Sequence, residues 1–153
     1  MSVKVKTSNN QNNQQPTKVI EVGKFYLIHD GSKTGHPGYI IWKDEIQNIF
    51  LAIKFGTTPN LKNLKLSHPI STNIKATYVY KKPFLGKRKD FGSKSFNDMF
   101  LTKKDINYIM NVVNFGSPIE SANIRSLDRR NYRRLCKIKA PYPGAIVLPE
   151  GTT

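Results

Sequence analysis

The sequence predicts an α+β fold, in which a small twisted antiparallel sheet or partly open barrel carries peripheral and C-terminal helices. Two observations lead to this class. In the first half of the chain, short runs of aromatic and β-branched residues are separated by clusters of Gly, Pro, Asn and Asp, the pattern of strands joined by turns. The clearest amphipathic helix comes only after these runs, so the regular strand-helix alternation of a parallel sheet is missing.

The chain is predicted to hold one globular domain behind a polar tail. Residues 1–17 are rich in Asn and Gln and have little apolar surface to bury, so we expect them to be disordered or extended. Residues 18–153 are long enough to form one core. The single cysteine, Cys136, excludes an internal disulfide and a Cys-based zinc site and favours the cytoplasm. The sequence has no apolar segment suited to export or to membrane insertion.

The strands are predicted in order along the first half. The run VIEVGKFYLIH indicates a strand, and DGSKTGHPG indicates a long loop after it. The apolar runs GYIIWKD and IFLAIKF flank the turn DEIQN, so residues 39–43 and 48–55 are predicted to form an antiparallel hairpin with both faces covered. TTPNLKNLKLSHPIS is predicted to be a loop, with at most one helical turn. ATYVYKKP indicates a strand that ends at Pro83, and GKRKDFGSK a basic loop.

Helices are predicted in the second half. Thr102 is a helix cap with Asp105 three residues later, and apolar residues follow at helical spacing until Gly116. This helix is expected to cover one face of the sheet. Ser117 and Pro118 start a predicted short helix, and Ser126 starts another that contains LDRRNYRRLCK. The final APYPGAIVLPEG is predicted to be either an edge strand or an extended arm.

Charge predicts the class of partner. The chain has 25 Lys and Arg against 10 Asp and Glu, a formal charge of +15, which indicates a polyanion, above all a nucleic acid. Two groups of residues are candidates for binding RNA phosphates: the helical stripe Arg129, Arg130, Arg133 and Arg134 with the nearby Arg125 and Lys137, and the cluster Lys81, Lys82, Lys87, Arg88 and Lys89. The stripe can instead be a solvated helix face. The aromatic residues interleaved with the lysines, Tyr78, Tyr80 and Phe84, can stack on bases or belong to the core.

A candidate catalytic constellation lies at the open end of the predicted hairpin. His36 precedes its first strand, with Lys33 three residues earlier, and Thr57 and Thr58 follow its second strand in FGTTPN. An antiparallel pairing places these segments side by side. They supply an acid or base, a cation and two hydroxyls, which suffice for phosphodiester cleavage when the RNA 2′-hydroxyl is the nucleophile. No motif for a metal, a nucleotide cofactor or a serine nucleophile is present in the sequence, so we expect neither metal nor cofactor.

The order GKFYLIH, HPGYIIWKD, IFLAIKFGTTPN and LTKKDINYIM resembles the PemK/MazF-like endoribonuclease toxins. Within them it is most similar to the type III, RNA-antagonised branch of ToxN-, TenpN- and CptN-like toxins. The resemblance spans roughly residues 22 to 115. In that branch a Thr/Ser-Pro-Lys type motif follows the hairpin, which Thr57, Thr58 and Pro59 match, and a basic residue precedes the second strand, at the place of His36. MazF proteins have Arg-Pro where this chain has His36-Pro37.

The resemblance implies a metal-independent, sequence-selective endoribonuclease that leaves 2′,3′-cyclic phosphate ends. It also implies inhibition by folded antitoxin RNA repeats in a closed toxin-RNA assembly. We expect Thr57 and Thr58 to hold the scissile phosphate, either His36 or Lys33 to transfer protons, and Lys33 and Lys54 to stabilise charge. Two other interpretations stay open: a non-catalytic RNA-binding protein in which FGTTPN is only a loop, and a gyrase-poisoning toxin of the same fold.

Overall fold

The computed structural model describes residues 19–59 and 63–138, with the backbone alone at residue 63 and residues 135–138. The predicted tail at residues 1–17, the predicted C-terminal strand or arm and the side chain of Lys137 lie outside the described part. The strands are β1 Phe25–Ile28, β2 His36–Asp44, β3 Ile49–Gly56, β4 Asn63–Lys65, β5 Tyr78–Tyr80, β6 Phe84–Lys87, β7 Phe91–Phe96 and β8 Ile119–Glu120. The helices are α1 Lys103–Val112 and α2 Ser126–Ile138, with a 3-10 turn at Arg88–Asp90.

Strand β3 is the centre of an open, largely antiparallel sheet. The strand order is β4, β5, β3, β2, β1, β7. On the far edge of β3, β6 pairs with residues 49–52 and β5 pairs with Phe55 and Gly56. Strand β8 pairs with β6 in parallel. The predicted α+β class with an antiparallel sheet is therefore confirmed for the described residues.

The predicted hairpin is confirmed, and its first strand is longer than expected. Strands β2 and β3 pair antiparallel from Gly38 opposite Lys54 to Asp44 opposite Ile49, and the turn includes Asn48 with φ 57°. Asparagine tolerates this left-handed conformation better than most residues. Residues 49–53 are all buried, which confirms that both faces of the hairpin are covered.

Alternate residues of the strands face two separate apolar clusters. Phe25, Tyr39 and Leu51 belong to the larger cluster, together with Ile109 of α1. Their immediate neighbours along the strands, Tyr26, Ile40 and Ala52, belong to the smaller one. Strand β2 pairs with β1 from its first residue, with His36 opposite the buried Ile28, so the sheet holds the backbone that carries His36.

Both long helices begin where the sequence predicts. The Thr102 hydroxyl accepts a hydrogen bond from the Asp105 backbone N–H at 3.1 Å, and α1 packs Ile109 against the sheet as expected. The helix ends at Val112, earlier than the predicted stop at Gly116. Helix α2 begins at Ser126. No helix among the described residues has the length and apolar character needed to cross a bilayer.

Three local predictions are wrong. The segment GKRKDFGSK is not a loop, because it forms the end of β6, the 3-10 turn and β7. The predicted short helix after Ser117 is instead the two-residue strand β8, which pairs in parallel with β6. The loop after FGTTPN contains β4, paired with β5. In each case tertiary pairing outweighs the local signals of turns or caps.

Candidate functional site

The open end of the hairpin forms a cavity of about 350 Å³. His36, the first residue of β2, lies on its wall, and Thr57 and Thr58, directly after β3, lie on the same cavity. The remaining lining includes Thr34, Gly35, Pro37, Phe55, Gly56, Ile70, Ile74, Thr77 and Tyr80. The structure thus brings the predicted histidine and both predicted threonines to one concave surface.

Asp30 holds the charged groups of this end together. Its Oδ2 lies 2.7 Å from His36 Nδ1 and 2.6 Å from Lys54 Nζ. Its Oδ1 accepts hydrogen bonds from the Ser32 backbone N–H at 3.1 Å and the Ser32 hydroxyl at 2.7 Å. The carboxylate side chain is only 7% exposed. Both of its oxygens are therefore engaged by neighbours from the loop, β2 and β3.

The environment keeps Asp30 ionised. Burial by itself raises the pKa of this carboxyl, but the Lys54 ammonium and the Ser32 donors outweigh it, so the pKa of Asp30 lies far below its ordinary value. An ionised carboxylate can only accept hydrogen bonds. The short contact with His36 consequently requires a proton on Nδ1 of the imidazole.

This requirement orients the other imidazole nitrogen. With the proton on Nδ1, neutral His36 carries its lone pair on Nε2, the nitrogen that lies 3.4 Å from the Tyr80 hydroxyl. The two rings meet edge to face with centroids 5.6 Å apart. Lys54 Nζ lies 4.5 Å from the centroid of the Tyr80 ring. The polar contacts thus run from Asp30 through His36 to Tyr80, which lines the cavity. Lys54 lies beside Asp30 and the Tyr80 ring.

Two glycines allow the backbone to approach the polar groups of the site closely. Gly35 has φ +72°, and a Cβ there would lie 2.6 Å from the backbone oxygen of Ile28. A Cβ on Gly56 would lie 3.2 Å from the Tyr80 ring. Thr57 and Thr58 then emerge exposed at the rim.

Of the two lysines predicted for the site, Lys54 lies in its interior and Lys33 lies on the surface. Lys54 is 19% exposed and contacts Asp30. Lys33 is exposed, and it is not among the residues that line the cavity. Of the two candidates for proton transfer, His36 is the one that the fold places on the cavity wall.

The predicted RNA-binding residues divide into those engaged by the fold and those on the surface. Lys87 contacts Asp128 at 3.0 Å, and Arg129 forms a bidentate pair with Glu120. Arg88 donates to the backbone oxygens of Phe91 and Gly92. The exposed members are Lys81, Lys82, Lys89, Arg125, Arg130, Arg133 and Arg134. Of the predicted phosphate-binding stripe, Arg129 is therefore held by an ion pair, because β8 brings Glu120 beside it.

The interleaved aromatic residues also divide. Phe84 is buried in the smaller apolar cluster, so its ring is a core side chain. Tyr78 and Tyr80 are half-buried, and Tyr80 faces the cavity. Stacking of bases is therefore open only to the tyrosines of this group.

Sequence reasoning missed Asp30 and the role of Tyr80. Asp30 comes two residues after the last residue of β1, in a stretch typical of a turn, and its partners are 6 and 24 positions away. The signal available in the sequence is the rarity of acids, because 10 Asp and Glu stand against 25 Lys and Arg and each acid has several cations with which it can pair. The sequence indicates Tyr80 only as a residue that stacks on bases or belongs to the core.

Within residues 19–59 and 63–138 no group of three or more His, Cys, Asp and Glu side chains is arranged to hold a metal ion. Comparison of the chain with family models, curated proteins and solved structures gives no match. The chemistry of the site must accordingly be inferred from its own side chains.

Proposed function

We propose that this chain is a metal-independent, sequence-selective endoribonuclease, the cytoplasmic toxin of a type III, RNA-antagonised system with a PemK/MazF-like fold. The observation that carries the proposal is the arrangement of Asp30, His36 and Tyr80, which ends in a cavity rimmed by Thr57 and Thr58. These groups can deprotonate a 2′-hydroxyl, hold a phosphate and protonate a leaving oxygen without further components.

The first proton transfer falls to His36. Its Nε2 removes the proton from the RNA 2′-hydroxyl, and the 2′-oxygen attacks the adjacent phosphorus to form a P–O bond. The imidazolium that results faces the ionised Asp30 at 2.7 Å, which stabilises it. A buried carboxylate in this position also prevents the ring from rotating away from the cavity.

The second proton transfer falls to Tyr80. As the bond from phosphorus to the 5′-oxygen breaks, the Tyr80 hydroxyl gives its proton to that oxygen. The His36 imidazolium, 3.4 Å away, returns a proton to the Tyr80 oxygen. The products are a 2′,3′-cyclic phosphate and a 5′-hydroxyl, and both side chains end in their starting states.

The threonines and the lysine act on the phosphate. The exposed hydroxyls of Thr57 and Thr58 can donate to its non-bridging oxygens, on which negative charge grows during attack. Lys54 Nζ lies above the Tyr80 ring, where its positive charge stabilises the negative charge that grows on the phosphate beside that ring. Lys54 also holds Asp30 in the ionised form that His36 requires.

The proposed antitoxin is RNA because of the charge of the chain. A formal charge of +15 suits a folded RNA that covers much of the surface. The exposed lysines and arginines give such an RNA contacts outside the cavity, and a closed toxin-RNA assembly would follow from repeats that each engage two toxin copies.

The enzyme is tested with purified protein, RNA and EDTA. We expect cleavage to persist in EDTA and to leave cyclic phosphate and 5′-hydroxyl ends, and we expect His36→Gln to abolish it. His68→Gln is the matched control, because His68 is exposed and contacts only Ser67 among the described hydrogen bonds. RNA binding with no cleavage by the parent would reject the nuclease in favour of a non-catalytic RNA-binding protein.

The antitoxin is tested in cells. Expression of the chain is expected to stop growth, and co-expression of the RNA transcribed from DNA directly upstream of its gene should restore it. The rescue should survive stop codons placed in every reading frame of that DNA. Loss of rescue with the stop codons would show a protein antitoxin and contradict the type III assignment.

A further inference from the structure

A second concave surface lies at the other end of the hairpin. It has a volume of about 600 Å³, and its walls include Lys87, Arg88, Lys89, Arg125 and Asn123. Ala122 and Asn48, which lies in the turn between β2 and β3, also line it. We call it the basic cavity.

Two buried carboxylates fix the walls of the basic cavity. Asp90 accepts from the Asn123 amide at 2.7 Å, from the Ser121 hydroxyl at 2.6 Å and from the Lys87 backbone N–H at 2.7 Å. Asp128 accepts from Lys87 Nζ at 3.0 Å and from the Arg125 backbone N–H at 2.9 Å. These bonds tie the 3-10 turn, the loop before α2 and the first turn of α2 into one rigid unit. The cavity is preformed.

The walls of the cavity are rich in cationic side chains. Its lining includes Lys87, Arg88, Lys89 and Arg125, of which Lys87 and Arg125 lie 3.0 and 3.8 Å from the carboxylate of Asp128. Asp90 and Asp128 are 5% and 1% exposed, so they face inward. Arg125 has a side chain 76% exposed and Lys89 is exposed as well. The surface that a ligand meets is thus cationic.

The basic cavity is far from the candidate active site. It begins beside Ile49, the first residue of β3, whereas Gly56, the last residue, lines the active-site cavity. At ~3.3 Å per residue, β3 separates the two by about 23 Å. A helical strand rises ~3.4 Å per nucleotide, so about seven nucleotides would connect them.

We propose that the basic cavity binds backbone phosphates of an RNA strand whose scissile phosphate lies in the other cavity. The identity of the ligand as RNA rests on the proposed function. Guanidinium and ammonium groups on a preformed concave wall are suited to binding phosphate oxygens. A phosphate bound there lies about seven nucleotides from the scissile phosphate, so the residues of the basic cavity cannot take part in the cleavage step. The basic cavity therefore strengthens binding of long RNA and leaves the rate of the bound complex unchanged.

The test removes the two exposed cations. The double variant Lys89→Gln/Arg125→Gln removes the 3.8 Å ion pair between Arg125 and Asp128. It keeps the hydrogen bonds that Asp128 accepts from the Arg125 backbone N–H and from Lys87, so the wall should remain intact. Lys103→Gln/Lys104→Gln on α1 is the control, because both residues are exposed and the change in charge is equal. Both pairs are made in a His36→Gln background, and binding of a labelled 20-nucleotide single-stranded RNA is measured from 50 to 300 mM salt.

Each phosphate contact to a single strand adds ~0.7 to the slope of log affinity against log salt. Loss of two contacts should lower the slope by about 1.4 and weaken binding roughly 25-fold at 0.1 M salt. The α1 control should change binding much less. Equal weakening by both double variants would show that only the net charge matters and would overturn the proposal.

RNA length separates this proposal from the proposed function. In the same binding assay, a dinucleotide is too short to reach from one cavity to the other even when it is extended, so the two double variants should differ much less in their affinity for it than for the 20-nucleotide RNA. If the parent cleaves RNA but the 20-nucleotide RNA does not distinguish the two double variants, the basic cavity is rejected and the nuclease stands. If the parent cleaves nothing while the 20-nucleotide RNA still requires Lys89 and Arg125, the nuclease is rejected and the phosphate site stands.

Discussion

Asp30→Asn is the substitution that most directly tests how the site is built. It keeps the size of the side chain but removes the negative charge that faces His36 Nδ1 at 2.7 Å and Lys54 Nζ at 2.6 Å. A hydrogen bond to a charged group is worth ~1.5–3 kcal/mol. In the proposed reaction the bond to His36 strengthens as the imidazolium forms, so most of this energy is lost from the transition state. At ~1.36 kcal/mol per factor of ten, the rate should fall roughly 10- to 150-fold.

The assay is single-turnover cleavage of a labelled RNA, with the affinity for RNA measured separately. We expect the rate of the bound complex to fall within this range while RNA binds at least as tightly as to the parent, because Asp30 does not line the cavity and its neutralisation leaves the charge of Lys54 uncancelled. Asp98→Asn, an exposed carboxylate with the same change in charge, should leave both values unchanged. A cleavage rate for Asp30→Asn equal to that of the parent, in a folded protein, would refute the role assigned to the carboxylate.

Three further predictions concern the rim, the hairpin and the acid stability of the fold. Thr57→Ala should lower the single-turnover rate roughly tenfold or more, because a hydrogen bond from the hydroxyl to a charged phosphate oxygen is lost. The control Thr72→Ala, at an exposed position, should not change the rate. Equal rates for the two variants would remove Thr57 from the mechanism. Gly38→Ala should destabilise the fold by ~1–3 kcal/mol in urea titrations, because the new Cβ would lie 2.5 Å from the fully buried Ile28 side chain; an unchanged midpoint would contradict the close packing. Burial raises the pKa of Asp128, but its hydrogen bonds and neighbouring cations outweigh this and lower it below the ordinary 3.8. Its stabilising contribution is thus present above pH 3.8 and lost as the pH falls further, and Asp128→Asn should reduce the loss of unfolding free energy below pH 4; a parent-like acid profile would refute this.

The sequence predicts the parts of the fold that local signals determine. The hairpin follows from two apolar runs around a polar turn, and α1 follows from the Thr102 cap and the spacing of Ile106 and Ile109. Strand β8 could not be found in this way, since Ile119 and Glu120 are extended only because β6 pairs with them. The strands on either side of Arg88–Asp90 could not be predicted, because the charged residues of this segment indicate an exposed loop. Asp90 is nevertheless buried, and its hydrogen bonds to Lys87 and Ser121 join separate segments.

In the candidate site too, the residues that local patterns determine could be predicted and those placed by tertiary contacts could not. His36, Thr57 and Thr58 could be brought together from the sequence because an antiparallel hairpin fixes which residues lie at its open end. Asp30 could not, because its contact with Lys54 depends on how β1 pairs with β2 and on where the loop after β1 turns. The stripe of arginines was correctly placed on a helix, but the pairing of Arg129 with Glu120 required knowledge of β8.

The two cavities suggest how the proposed enzyme separates binding from chemistry. With His36 neutral, the charges of Lys54 and Asp30 cancel at 2.6 Å, so the active-site cavity attracts the phosphate of the ground state only weakly. When His36 takes the 2′-proton, the same group of side chains gains a net positive charge at the moment when negative charge grows on the phosphate oxygens. The electrostatic gain thus falls on the transition state, where it accelerates the reaction. The exposed cations of the basic cavity, about 23 Å away along β3, act on ground state and transition state alike and can supply only affinity.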